Sequence, residues 1–318
     1  MIAIELDRVS RDFTTPDGRS YRALDEVSLS VKEGSFVAIV GPSGCGKSTL
    51  LNMAAGLLTP SSGVVRINGE PLSGINHRAT YMFQQDALLP WKTVRENVAL
   101  GLILRGVAKA DALRHADAWL SRVDLSAFGS HYPSQLSGGM RKRVVMAQNW
   151  IIDRGILLMD EPFSALDVHT RQRMEIELLG LWEGSGSSRT LPMEERSGSS
   201  RTLPIEGTSA SRQTLPEDGT RASGEASVVS GFSQTVRKTV VFVTHDLEEA
   251  IALADEVVVL SAGPATHIVA RHSVTLDRPR ALMELRTAPA FIDLYSAIWA
   301  VLREEVIKSQ QAVGHGRS

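Results

Sequence analysis

The sequence predicts an α/β protein built on a parallel β-sheet. Three apolar runs of strand length carry that prediction: FVAIV at 36–40, ILLM at 156–159 and VVFVT at 240–244. They are rich in β-branched and aromatic residues and lack polar alternation, as expected of strands covered on both faces. Helical stretches alternate with them, which is the pattern of parallel crossover connections. With 318 residues, 43% hydrophobic and 22% charged, the chain is long enough for one large domain or two small ones.

Taken in order, the N-terminal part reads as short strands, IAIELDRVS and then YRALDEVSLSVKEG, before FVAIV stops at Gly41. A glycine loop follows. Lys47 to Leu58 is then composed of helix formers and is expected to end before Thr59-Pro60, because the residue preceding proline is pushed out of the helical region. Between Thr93 and Arg122 the pattern is helical, and Ser137 has the chemistry of an N-cap for a helix through MRKRVVMAQNWI. These helices fall between the first two parallel strands and are too long for a simple crossover. A helical subdomain inserted at about 90–152 is therefore expected.

Residues 184–235 differ in kind: Gly, Ser, Thr and Pro make up 28 of the 52. Pro192, Pro204 and Pro216 are spaced 12 apart, each preceded by Thr-Leu. The expectation is a disordered surface insertion grown by duplication, because such a segment cannot bury enough apolar area to order itself. A docking or phosphorylation segment is the competing reading. The tail, 276–318, reads as helical. Phe291, Leu294, Tyr295, Ile298, Val301 and Leu302 recur at helical spacing, a stripe expected to pack on its own domain rather than on a membrane or partner.

Bulk properties exclude several classes. A net charge of −2 gives no reason to expect nucleic acid or an anionic membrane as a partner. With Cys45 as the sole cysteine, no intrachain disulfide or cysteine metal cluster can form. The N-terminus lacks the apolar run of a secretory signal, and no stretch reaches the roughly 18 apolar residues of a membrane span. The expectation is a cytoplasmic-type protein that other chains would have to hold at any membrane it serves.

Gly41, Gly46, Lys47 and Ser48 fit G-x-x-x-x-G-K-[ST]. Such glycines let backbone N–H groups converge on phosphate oxygens at a helix N-terminus, with lysine reaching the β- and γ-phosphates and the hydroxyl reaching Mg²⁺. ILLMDE ends a buried strand with two carboxylates: Asp160 can hold Mg²⁺ through water, and Glu161 can polarise an attacking water. LSGGM, at 136–140, sets Ser137, Gly138 and Gly139 at a second helix N-terminus, a second anion cradle. One γ-phosphate has little need of two cradles, so the second is expected to serve a nucleotide on another copy of the chain.

GPSGCGKST, the glutamine of YMFQQD, LSGGM, ILLMDEP, SALD and VTHD occur in an order that resembles the ATP-binding cassette (ABC) ATPases, the motor subunits of ABC transporters. The resemblance covers residues 2 to 275 apart from the insertion. It implies a P-loop NTPase cassette: a RecA-like parallel core, an N-terminal antiparallel β subdomain and an inserted α-helical signature subdomain. It implies ATP as substrate with Mg²⁺, held by Gly41, Pro42, Ser43, Gly44, Cys45, Gly46, Lys47, Ser48 and Thr49. Phe13 would stack on adenine, in preference to Tyr21. Gln84 would sense the γ-phosphate through Mg²⁺, which Ser48 and Asp160 would also hold. His245 would touch the γ-phosphate, Ser137, Gly138 and Gly139 would clamp the partner's ATP, and Asp167 would contact the partner. Lys47, Gln84, Glu161 and His245 are thus the expected catalytic set.

The implied partners are a second ATPase subunit, taken as a second copy, transmembrane permease subunits, and through them an extracytoplasmic solute-binding protein. The implied location is peripheral, at the cytoplasmic face of the cell membrane. Two departures stand out. Met140 replaces a frequent glutamine, and 78 residues separate Asp167 from His245 against roughly 30 in relatives. The insertion accounts for the excess, and loop closure costs only about 0.6 kcal/mol per doubling of length. TYMFQQDALLPWKTVRENVALGL, MDEPFSALDVHTR and THDLEEAIALADEVVVL are similar to the nitrate/sulfonate/taurine importer branch. Importers of thiamine precursors share much of that wording, and both substrate classes stay open. Because Cys45 lies within the phosphate loop, thiol modification is expected to block activity and ATP to protect against it.

Overall fold

Alternation of apolar and polar residues at the end of the second strand helps to build a half-buried antiparallel pair. β1 (Ile2–Thr14) and β2 (Ser20–Lys32) lie side by side; Val27, Leu29 and Val31 face inward while Glu26, Ser28 and Ser30 face solvent. Next come β3 (Phe36–Val40), α1 (Lys47–Ala54), β4 (Ser62–Ile67), β5 (Glu70–Pro71) and β6 (Ala79–Met82). α2 (Val94–Leu104), α3 (Lys109–Arg122) and α4 (Gly138–Trp150) lead to β7 (Ile156–Asp160) and α5 (Val168–Glu183). β8 (Thr239–Val243), α6 (Leu247–Leu253), β9 (Glu256–Leu260), β10 (Ile268–Ser273), α7 (Leu282–Leu285) and α8 (Pro289–His315) complete the chain. This computed structural model describes residues 1–15, 18–164, 166–183 and 237–315. They belong to one unit, Met1–Gly186 with Val236–Ser318. The Thr-Leu-Pro repeats and the rest of the insertion expected at 184–235 lie outside the described residues.

Two sheets result. The antiparallel one has the order β2-β1-β4-β5. The larger has the order β10-β9-β3-β8-β7-β6, with β9, β3, β8, β7 and β6 parallel and β10 antiparallel at one edge. The three apolar runs occupy its adjacent centre, Phe36 opposite Val240 and Leu157 opposite Val240 from the other side. Alternate residues of β3 feed two cores. Phe36, Ala38 and Val40 pack with the helices of one face, Val37 and Ile39 with α1 and the antiparallel sheet on the other.

The helices α2 to α4 do not follow the first parallel strand directly. β6 comes between, parallel to β7, and its sequence ATYM is too short and too polar to announce a buried strand. α1 stops at Ala54, four residues before the expected Leu58, because Leu57 and Leu58 both donate backwards to the Asn52 carbonyl and close the helix. The chain on either side of residues 184–236 is stitched together: the Trp182 indole donates to the Lys238 carbonyl at 2.7 Å, and Arg237 lies 5.0 Å over the same ring. α8 buries Phe291, Ile298 and Leu302 against the unit, and Glu305 on it accepts from the Ala262 N–H at 2.7 Å. Among the described residues no helix is long and apolar enough to cross a membrane.

Candidate nucleotide-binding site

The loop from Gly41 to Gly46 joins the tip of a central parallel strand to the N-terminus of α1. Gly46 caps that helix with φ 94, a left-handed conformation, and a Cβ there would stand 2.8 Å from Leu24 Cδ2. Both the backbone and the neighbouring strand therefore demand glycine. Lys47 is 6% exposed, and its ammonium donates to the carbonyls of Gly41 at 2.9 Å and Pro42 at 3.0 Å. Those partners are neutral, so the cation's charge is free to attract an anion at the α1 N-terminus. Thr49 follows Ser48 within the first turn of α1, while Ser43 and Gly44 are exposed at the loop's crest.

The tips of β7 and β8 complete the cluster. The Ser48 hydroxyl donates to Asp160 Oδ1 at 2.9 Å. Tyr81 donates to Asn52 Oδ1 at 3.0 Å and approaches Asp160 Oδ2 at 3.5 Å. Burial pushes the Asp160 carboxyl above its usual range, and the neighbouring Glu161 charge adds to this, against the opposing Ser48 hydrogen bond. Two hard oxygen ligands, one on a carboxylate whose charge is poorly solvated, suit a magnesium ion. The donor chemistry of Ser48 and Asp160 thus fits the expected metal.

Glu161 has φ 44, an uncommon conformation for a residue with a side chain, and its N–H donates to the Val243 carbonyl at 2.9 Å. This turn takes its carboxylate out of the strand and brings Oε2 to 3.0 Å from Gln84 Nε2 and 3.5 Å from His245 Nδ1. Lys47, Ser48, Gln84, Asp160, Glu161 and His245 are therefore on one cluster of loops, although 112 residues separate Ser48 from Asp160 and 77 separate Gln84 from Glu161.

Other expected residues lie apart from these bonds. Ser137 caps α4, accepting from the Met140 N–H at 3.3 Å, and both Ser137 and Gly138 are exposed. A Cβ on Gly139 would meet Thr170 Cγ2 at 2.5 Å, so this glycine lets the cradle press against the start of α5. Met140, in the first turn of α4, packs partly buried against the core, which accommodates the departure from glutamine. Asp167 is exposed and accepts from the Thr170 N–H at 3.0 Å, and that bond holds its carboxyl below the usual range. Phe13 and Tyr21 are cross-strand partners, their rings stacked at 5.8 Å, so the two adenine candidates form one aromatic surface, with Arg11 4.8 Å over Phe13.

The expectation for Cys45 is overturned. Its side chain is 1% exposed in the core beneath the loop, and burial raises the thiol pKa. The thiolate that reagents attack is suppressed twice over, by desolvation and by lack of access. Several supporting residues escaped sequence reasoning. Lys142 on α4 donates to the Gln84 carbonyl at 2.9 Å and pairs with Asp86 at 2.9 Å, while Arg141 reaches Asp86 at 3.3 Å. The second glutamine-loop residue after Gln84 is thereby tied to the helix that carries LSGG. The signal that could have found Asp86 is the charge complement between QQD and MRKR.

Comparison with known proteins agrees with this geometry. The family described as ABC transporter matches residues 24–164. An uncharacterised ABC transporter ATP-binding protein of Methanocaldococcus jannaschii is 36% identical over 293 residues, covering 92% of this chain and 89% of the relative. A taurine import ATP-binding protein of Chromobacterium violaceum is 40% identical over 264 residues, covering 83% of this chain and 80% of that protein. Among solved structures, the dimeric post-hydrolysis state of the ATP-binding cassette MJ0796, bound to ADP and Pi, superposes with a TM-score of 0.62 at 26% identity. That match covers 86% of this chain and all of the other. The glycine loop, the paired carboxylates at a strand tip and a match over 92% of the chain to a relative 36% identical lead to one statement: this chain is an ATPase and belongs to the family of ABC transporter ATP-binding proteins.

Proposed function

We propose that the chain is the ATP-hydrolysing subunit of an importer for a small solute, with nitrate, a sulfonate or taurine as the class transported. The observation that carries the catalytic part is Glu161 held between Gln84 at 3.0 Å and His245 at 3.5 Å. A carboxylate in that position accepts the proton of a water attacking the γ-phosphate, while the amide and imidazole orient water and phosphate. Lys47 and the backbone N–H groups from Ser43 to Thr49 bind the phosphates, and the Phe13 surface receives the adenine. Bound magnesium would offset phosphate charge, and Ser48, Asp160 and Gln84 are the residues that would hold it.

Two copies close over two ATP molecules, Ser137, Gly138 and Gly139 of each meeting the nucleotide of the other, with Asp167 at the contact. The exposed position of Ser137 and Gly138, and the dimeric state of the similar MJ0796 cassette, support this reading. Hydrolysis removes the charge bridging the halves, which reopen. A permease docked on the helical subdomain of residues 90–152 beside Gln84 converts that cycle into alternating access. The chain then sits peripherally at the cytoplasmic face, served by an extracytoplasmic solute-binding protein. Similarity to taurine import ATP-binding proteins supports the direction and class of transport.

The test is Glu161→Gln. ATP affinity is expected to persist while turnover falls about 10²- to 10⁴-fold, the range of a lost general base. Near-normal turnover would remove Glu161 from that role. For the transport part, a tagged chain isolated from gently solubilised native membranes is expected to bring a multi-span permease with it. Recovery of soluble partners without a membrane protein would sink the importer reading.

A further inference from the structure

His245 is poorly anchored by its own ring. The side chain is 53% exposed, and its described ion-pair contact is Glu161 at 3.5 Å. What fixes the ring must be its neighbours in the chain, Thr244 and Asp246, and both lead to one side chain. Arg171, in the first turn of α5, places Nη1 2.9 Å from Asp246 Oδ2. Its Nε stands 3.6 Å from Glu249 Oε1, and the other oxygen of Glu249 accepts from the Thr244 hydroxyl at 2.7 Å. Thr244 in turn accepts from the Asp246 N–H at 2.9 Å, while Asp246 caps α6 through the N–H groups of Glu248 and Glu249.

The opposite side of the same guanidinium reaches the other loop. Arg171 Nη2 donates to the Leu166 carbonyl at 3.4 Å, in the segment between Glu161 and Asp167. Its own N–H donates to the Asp167 carbonyl at 2.9 Å. One planar fork thus spans the loop after β7, which carries Glu161, and the loop after β8, which carries His245. Seventy-five residues separate Arg171 from Asp246, so no local structure sets this spacing. Further charges lie beside it. Glu175 lies fully buried one turn along α5, and Arg286 pairs with it at 2.9 Å and with Glu248 at 3.4 Å.

We propose that Arg171 is a positioning residue for ATP hydrolysis: it holds the Glu161 loop and the His245 loop in register, so that the carboxylate and the imidazole act on one phosphate. This deepens the catalytic reading above and rests on it. A lysine cannot substitute fully, because a single ammonium lacks the fixed fork that meets the Leu166 carbonyl and the Asp246 carboxylate at once.

The test measures ATP turnover of wild type, R171M, R171K, H245A and R171M/H245A, with nucleotide affinity and thermal midpoint alongside. R171M is expected to lower kcat about 10- to 100-fold, the scale of a misplacement near 1 Å, with ATP affinity unchanged. R171K should recover part of that loss. In the H245A background R171M should cost less than in wild type, because the part of its effect that places the histidine is already lost. D246N offers a second route that keeps the helix cap while removing the charge Arg171 meets, and it should reproduce the kcat loss even if R171M fails to fold. Equal losses in the wild-type and H245A backgrounds, or a loss confined to ATP affinity, would overturn the proposal. Turnover lost in H245A but kept in R171M and D246N would sink this inference and spare the histidine. Full turnover in H245A would sink both.

Discussion

Glu161 and Cys45 show opposite relations between a residue and its place in the chain. Glu161 accepts a left-handed backbone, which costs of order 1 kcal/mol or more and persists only because the Val243 carbonyl and the Ser164 hydroxyl hold the turn. The return on that strain is direction: the carboxylate leaves the strand axis and faces Gln84 and His245. Cys45 sits in the glycine loop between β3 and α1 yet turns its own side chain into the core. Thiol reagents are therefore expected to label the folded protein slowly, with or without ATP, and to label it quickly in denaturant. The measurement is the rate of thiol release with a chromogenic disulfide under native conditions. Rapid labelling that ATP blocks would show that the loop opens to expose Cys45.

At the scale of the element, α6 follows directly on the loop that carries His245, and it is short. Seven residues cannot hold themselves helical in water. Guanidinium groups secure both ends: Arg171 meets the Asp246 cap, while Arg280 donates to the carbonyls of Ile251, Ala252 and Ala254 and Arg278 to that of Leu253. Glu249, within α6, is 3% exposed, and its carboxyl is pushed up to about 8, chiefly by burial and further by Asp246 and Glu175, against the Thr244 hydrogen bond and Arg171. Glu175 is likewise raised, to about 7, by burial. A carboxyl with a raised folded pKa binds its proton more tightly in the native state than in the unfolded one. Its contribution is therefore complete below the unfolded pKa near 4.5 and is lost as pH climbs toward 8. Glu249→Gln is expected to flatten the fall in stability between those limits, with Glu175 leaving a residual slope. Denaturant midpoints at a series of pH values check this, and an unchanged slope would refute it.

For the whole molecule, the question is how a parallel sheet tolerates 55 residues between Glu183 and Thr239. Both sides of that stretch are held by the core. Trp182 is buried and bonded to Lys238, Arg278 bridges Glu183 and Asp255, and β8 is zipped between β3 and β7. Deleting residues 186–234 is expected to keep ATP turnover and to raise stability by roughly 2 kcal/mol at most, since three halvings of loop length return about 0.6 kcal/mol each. A fall in the thermal midpoint would mean that the segment packs on the cassette. A change in turnover at unchanged stability would mean that it regulates.

Much of this protein is legible in its sequence because short-range pattern encodes backbone. FVAIV, ILLM and VVFVT are central strands because unbroken apolar runs can be covered on both faces. Gly41 to Ser48 reads as a phosphate loop because glycine spacing sets which N–H groups converge. Ser137 caps α4 because a hydroxyl at that point satisfies a helix N–H. ATYM gave no such signal, being four residues long, and α1 ended early through a backbone closure with no sequence mark. The contacts that make a site of these parts are of another kind. Ser48 meets Asp160, Gln84 meets Glu161 and Arg171 meets Asp246 across separations of 112, 77 and 75 residues. No local propensity describes such pairs. They exist because the order of strands in the sheet brings their loops to one edge, so the sequence by itself named the groups, and only the tertiary structure decided which of them touch.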